Sequence, residues 1–205
     1  VGVQNTILGS FAGDSLTDAD YNVAVGLGAL GSDTLGSTSV AVGYSALSAQ
    51  NFTSATNTYN TAVGYASGQA ITTGNSNTFI GGLAGDSNTT GIYGIAVNDI
   101  IKIKDYASTT GSFNTALGDI ALYLNTTGGA NVAVGTACME NNTTGDDNTA
   151  IGTNALKANT TAALNTAIGN SAGSAITTGT HNVLVGSYAG AGGVGSLTTG
   201  LRNVI

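Results

Sequence analysis

The sequence predicts an all-β chain wound into a parallel β-solenoid of about 11–12 coils with a 17-residue repeat, and three observations predict it. A short motif opening on Asn returns at near-constant spacing. Inside it, aliphatic and small residues alternate with the period of a strand. A Gly and then a Thr-Thr-Gly corner punctuate each copy.

The spacing is clearest where NTAIGTNAL, Asn148 to Leu156, is followed by NTAIGNSAG, Asn165 to Gly173. The motif starts are Asn5, Asn22, Ser39, Asn60, Asn77, Gly94, Asn114, Asn131, Asn148, Asn165, Asn182 and Asn203. Eight of the eleven intervals are 17 residues and three carry insertions of three or four. Residues 1–205 therefore read as one β-solenoid repeat domain, with 98–113 an irregular insertion. The chain opens on Val1 and stops three letters into a further motif, so a section of a longer polypeptide is expected.

Each column of the repeat has its own demand. Three residues after the Asn stands an aliphatic residue, such as Val25, Val42, Val63, Val134, Ile151 or Ile168, and this column is expected to form the core. One after the Asn stands Thr, Val or Ile, and the position between is mostly Ala. Positions one and three then share one face of a strand and position two takes the other. The Gly that follows, as in Gly26, Gly135 and Gly152, reads as a bend needing positive φ. Further on come a small residue and then either Gly or a long apolar one, as in Ala29-Leu30 or Cys138-Met139. Thr126 to Gly128 and Thr143 to Gly145 mark the second corner, and the insertions fall before that corner, where loops absorb them.

The composition is 41% hydrophobic but only 6% aromatic, with 32 Gly and no Pro or Trp, so the core is thin. A partner surface is expected to complete it. The Ala-rich strand faces are expected to point outward and let copies approach closely, giving a homo-oligomer, a trimer. Four basic side chains against 11 acidic ones argue against nucleic acid and against contact with anionic membranes. One cysteine excludes an intramolecular disulfide, and no apolar run is long enough to span a bilayer.

The strand motifs NTAIG and NVAVG resemble the head repeats of trimeric autotransporter adhesins, and similar repeats occur in phage tail fibres. The resemblance runs from Asn5 to Ile205, and the repeat here is longer in its Thr-Thr-Gly corner. It implies a left-handed parallel β-roll, three chains about one axis, on a bacterial cell surface or a virion.

Several motifs suggest other chemistry. GLGALG, Gly26 to Gly31, and GAGGVG, Gly190 to Gly195, match the dinucleotide fingerprint, but a polar corner follows the first where a helix is required. GNSAG, Gly169 to Gly173, matches a nucleophile elbow at Ser171, yet the one histidine, His181, falls in the next corner and reads as solvated. Cys138 occupies a small-residue column and reads as a buried inert thiol. Asp14, Asp18 and Asp20, and Asp146 with Asp147, sit in corners without a calcium-loop pattern. No catalytic, cofactor or metal residue is assigned.

The residues singled out for partner contact are Lys102 and Lys104, which alternate with Ile in DIIKIKD, and Tyr44, Tyr65 and Tyr188 near the bend, where a sugar ring can stack. The expected function is a non-enzymatic structural or adhesive segment of an extracellular fibre, attaching to a carbohydrate or protein receptor. The alternatives are an ice-binding solenoid, opposed by Val23, Val40, Val132 and Val183 interrupting the Thr column, and a β-helical carbohydrate-active enzyme.

Overall fold

The computed structural model describes residues 2–97, 111–191 and 197–205. The chain forms two compact units, residues 1–100 and 101–205. Both are parallel β-solenoids, and no helix occurs among the described residues. In the first unit the rungs are β1 (Thr6–Leu8), β2 (Val23–Val25), β4 (Val40–Val42), β6 (Thr61–Val63), β7 (Thr78–Ile80) and β8 (Ile95–Val97). A two-strand side ladder pairs β3 (Gly36–Ser37) with β5 (Thr56–Asn57). In the second unit the rungs are β9 (Thr115–Leu117), β10 (Val132–Val134), β11 (Thr149–Ile151), β12 (Thr166–Ile168) and β13 (Val183–Val185).

Adjacent rungs pair in parallel and in register, Val132 with Thr149 and Val134 with Ile151, for example. The four-residue insertion between Ser39 and Asn60 leaves that register intact, because Val40 still pairs with Thr61 and Val42 with Val63. The extra residues go to the β5 side of the coil, where Thr56–Asn57 find a parallel partner in Gly36–Ser37.

The motif-opening Asn column is buried from Asn22 to Asn182, save for Ser39 in its place in one coil and Gly94 in another. Each amide spans two rungs. Asn148 Nδ2 donates to the carbonyl of Ala162 in its own coil at 2.8 Å, while its Oδ1 accepts the backbone N–H of Asn165 at 3.1 Å and the Asn165 side-chain amide at 3.2 Å. The same pattern runs through Asn131, Asn165 and Asn182, and Asn203 donates both its backbone and side-chain N–H to Asn182 Oδ1. A second buried ladder runs through Asn125, Asn142 and Asn159. Where Ser39 is too short to continue the first, Gln50 reaches in and bonds Asp33 Oδ2, Ser39 Oγ and the Asn60 amide. The buried amides of these ladders are retained because each finds hydrogen-bond partners within the stack.

The strand faces are the reverse of the sequence expectation. The middle residue points inward: Ala24, Ala41, Ala62, Phe79 and Ala96 in the first unit, and Ala116, Ala133, Ala150, Ala167 and Leu184 in the second, are all buried. The aliphatic column expected to form the core, including Ile151 and Ile168, faces outward and is half-buried or exposed. The reason is cross-section. Where the coil interior holds the amide ladder, the small column of Ala29, Ala46, Cys138 and Ala155, and the long residues Leu30, Leu47, Met139 and Leu156, room is left only for a methyl group opposite; Phe79 and Leu184 fit because Gly68 and Gly85, or Gly173 and Gly190, stand where those long residues would. The Ala-rich faces therefore cannot be where copies meet.

Interior volume is shared between two positions of each coil. Leu122, Met139 and Leu156 are followed three residues on by Asn125, Asn142 and Asn159, whereas Gly68 and Gly173 are followed by Ile71 and Ile176. A Cβ on Gly173 would press against the side chains of Leu156, Ile176 and Leu184. A large residue at one site thus requires a small or polar one at the other.

The bend glycines carry φ between 125° and 140°. A Cβ on Gly9 would lie 2.6 Å from the carbonyl oxygen of Gly26, and Gly152 faces Gly169 in the same way, whereas at the turn glycine Gly28, with φ 67°, a Cβ would meet only Ser45 Oγ at 3.7 Å. Gly28→Ala is therefore expected to cost about 1–3 kcal/mol from backbone strain alone. Gly152→Ala should cost about 1–3 kcal/mol more, because strand stacking adds a backbone collision. Urea denaturation of the two variants measures the difference, and equal losses would contradict close stacking at the bend.

Candidate functional site

The candidate sites are surfaces created by the rungs. Outward strand residues form two parallel columns in each unit. In the second unit these are Thr115, Val132, Thr149, Thr166 and Val183 beside Leu117, Val134, Ile151, Ile168 and Val185. Ile151 keeps 40% of its surface in solvent. Neither column contains a charged residue. The first unit repeats the arrangement from Thr6 and Leu8 to Ile95 and Val97. In each unit the two columns together make a contiguous, uncharged and largely apolar exposed face.

Beside this face, at the bend, Tyr44 and Tyr65 stack with ring centroids 5.1 Å apart and planes 8° from parallel. They are 21 residues apart in sequence, yet occupy the same column because the insertion is absorbed elsewhere. The structure thus brings together two of the three tyrosines singled out in the sequence. The column continues to Gly82, which adds no side chain beyond Tyr65. Tyr188, in the other unit, stands exposed one position further along its turn. Lys102 and Lys104 lie outside the described residues, as does most of the 98–113 insertion.

The Thr-Thr corner holds a row that the sequence reading overlooked by examining only the strand column. Thr126, Thr143, Thr160 and Thr177 each donate the γ-hydroxyl to the carbonyl of the first Thr one rung on, at 2.9–3.2 Å. Their neighbours Thr127, Thr144, Thr161, Thr178 and Thr199 are exposed, with hydroxyls that make no hydrogen bond among the described residues. The signal was present in the five Thr-Thr pairs themselves.

The other motifs fall on turns and corners, and most of GAGGVG lies outside the described residues. GLGALG covers a rung end and its turn, and Ser171 sits in the equivalent turn at φ 55°. His181 is an exposed corner residue whose Nδ1 lies 3.1 Å from Thr180 Oγ1. Among the described residues no three His, Cys, Asp or Glu side chains gather as metal ligands. In the first corner, Asp20 instead accepts the Val3 N–H at 2.6 Å.

Cys138 is fully buried and its Sγ lies 3.2 Å from the Ala150 carbonyl oxygen. Burial pushes the thiol up from 9.0 to about 12, with a backbone hydrogen bond at Val134 opposing weakly. The unfolded chain ionises this thiol first, so its contribution to stability is complete below pH 9 and is lost as pH rises towards 12. A disulfide reagent at pH 8 should leave Cys138 unmodified in the native protein and label it promptly in denaturant; equal rates would contradict this burial.

Comparison of the chain with known protein families, with curated proteins and with solved structures finds no match.

Proposed function

We propose that this chain is a non-enzymatic structural and adhesive segment of an extracellular fibre, in which copies associate through the outward strand face and the assembly attaches to a surface. The observation that carries the reading is the uncharged double column from Leu117 to Val185 and its counterpart in the first unit. A second copy is the partner best matched to it. It offers the same rung spacing, about 4.8 Å, over the same number of rungs. Although the chain carries a net charge of -7, no charged side chain on this face opposes self-association. The repeat's resemblance to adhesin heads and tail fibres supplies the number three and the location on a cell or virion.

Light scattering on the purified chain is expected to return three times the single-chain mass. Ile151→Asp with Ile168→Asp should return the single-chain mass with unchanged β circular dichroism, because two desolvated carboxylates per copy would face the partner. A stable monomer of the unaltered chain would exclude the assembly.

A specific observation favours ice binding as a second reading. The row Thr127, Thr144, Thr161, Thr178 and Thr199 presents hydroxyl and methyl groups at the rung repeat without interruption. Thermal hysteresis that disappears in Thr144→Lys and Thr161→Lys variants would support it, and none in the unaltered chain would remove it.

A further inference from the structure

In the second unit, the corner that precedes each Asn places Phe113, Ala130 and Asp147 on three successive rungs. Backbone hydrogen bonds fix this order: Ala130 N donates to Ser112 O at 2.9 Å, and Asp147 N to Gly129 O at 3.0 Å. The middle rung carries only Gly129 and Ala130, so the larger side chains above and below enclose a notch. The notch is open to solvent, has a volume of about 360 Å³ and is also lined by Ser112, Thr127 and Asp146. Two rungs at about 4.8 Å set the walls roughly 9.6 Å apart.

The walls differ in chemistry. Phe113 is 58% exposed and provides an apolar ring. Opposite it, Asp146 Oδ1 is held by the Gly129 N–H at 2.7 Å, which orients the carboxylate. Asp147 is exposed, with no side-chain hydrogen bond among the described residues, and neither carboxylate belongs to the Glu140–Lys157 ion pair found in the same unit. A ligand for this notch needs a flat apolar face for the phenyl ring and hydrogen-bond donors for acceptor-only carboxylates. The volume, near the lower end of the roughly 300–1,000 Å³ of small-molecule pockets, suits a single ring.

We propose that the Phe113–Asp147 notch binds one pyranose unit of a carbohydrate, neutral or amino-substituted, and rejects uronic acids. The ring's C–H face packs on Phe113, and its hydroxyl or ammonium groups donate to Asp146 and Asp147. A carboxylated sugar meets two like charges. This names a ligand class for the attachment reading and rests on that reading only for its biological purpose.

The test is ligand-observed NMR titration of the whole chain with glucose, galactose, glucosamine and glucuronic acid. At least one of the first three is expected to bind saturably, at least fivefold more tightly than glucuronic acid. Phe113→Ala and Asp147→Asn should each weaken that binding at least fivefold without moving the melting temperature. Both substitutions preserve the backbone, since Ala130 holds the same left-handed conformation one rung on and Asn tolerates it better than Asp's other replacements. No saturable binding to any of the four sugars, preference for glucuronic acid, or binding indifferent to both substitutions would overturn the proposal. Sugar binding by a monomer would fail only the assembly reading, and an assembled chain that binds no sugar would fail only the notch.

Discussion

Vertical registry is the constraint from which the rest of this structure follows. Each coil is too slender to hold a conventional core, and it is defined by what lies above and below it. The buried Asn column enforces that registry. A side chain that ties its own coil shut through Nδ2 and receives two N–H groups from the next coil through Oδ1 fails if either coil slips by one residue. A slip would strand buried amides without partners, at about 1–3 kcal/mol each, repeated at every rung. This is why the four-residue insertion between Ser39 and Asn60 is diverted to the side ladder of Gly36–Ser37 and Thr56–Asn57 while the strand register stays fixed.

The backbone accepts a burden for this geometry. In the coil from Asn148 to Leu164, Gly152, Asn154, Leu156 and Leu164 all have positive φ. Three of them are not glycine, and each such residue costs roughly 1–2 kcal/mol. What they gain is direction. Asn154 donates its N–H to Thr136 O, Leu156 to Ala172 O and Leu164 to Asp146 O, so each left-handed residue turns a donor along the stack to a neighbouring coil. An isolated coil would keep the strain and lose these bonds. Stability therefore belongs to the stack, in the manner of repeat proteins whose units hold only through their neighbours.

This explains which parts of the architecture were legible in the sequence. The period, the strand, the Gly bend and the buried Cys138 were readable because each follows from a residue type repeated in one column. The left-handed leucines were not, because Leu30, Leu47 and Leu156 contradict local propensity and are held by neighbouring coils. The direction of the strand faces was misjudged through size: Ile and Val were assigned to the core because their column is always aliphatic, although most coils have room inside only for Ala, and larger residues such as Phe79 and Leu184 enter only where glycines clear the space. A usable signal lay in the adjacent column. Thr61, Thr78, Thr115, Thr149 and Thr166 share their face with the aliphatic residues, and a row of hydroxyls without buried partners belongs towards water.

Surface chemistry in such a fold is composed by columns, and a site arises where a column changes residue type. The Tyr44–Tyr65 stack exists because two aromatic residues occupy consecutive rungs, and it ends where Gly82 takes the next. The notch between Phe113 and Asp147 exists because Ala130 interrupts two larger neighbours. Both arrangements are invisible to a search for residues close in sequence, since their members are 17 or 21 positions apart. Once the rung alignment is known they can be read directly, because adjacent rungs convert a difference in side-chain size into a cavity of fixed height. The scaffold can therefore change its surface chemistry by single substitutions at exposed column positions without disturbing the amide ladder that holds the coils in register.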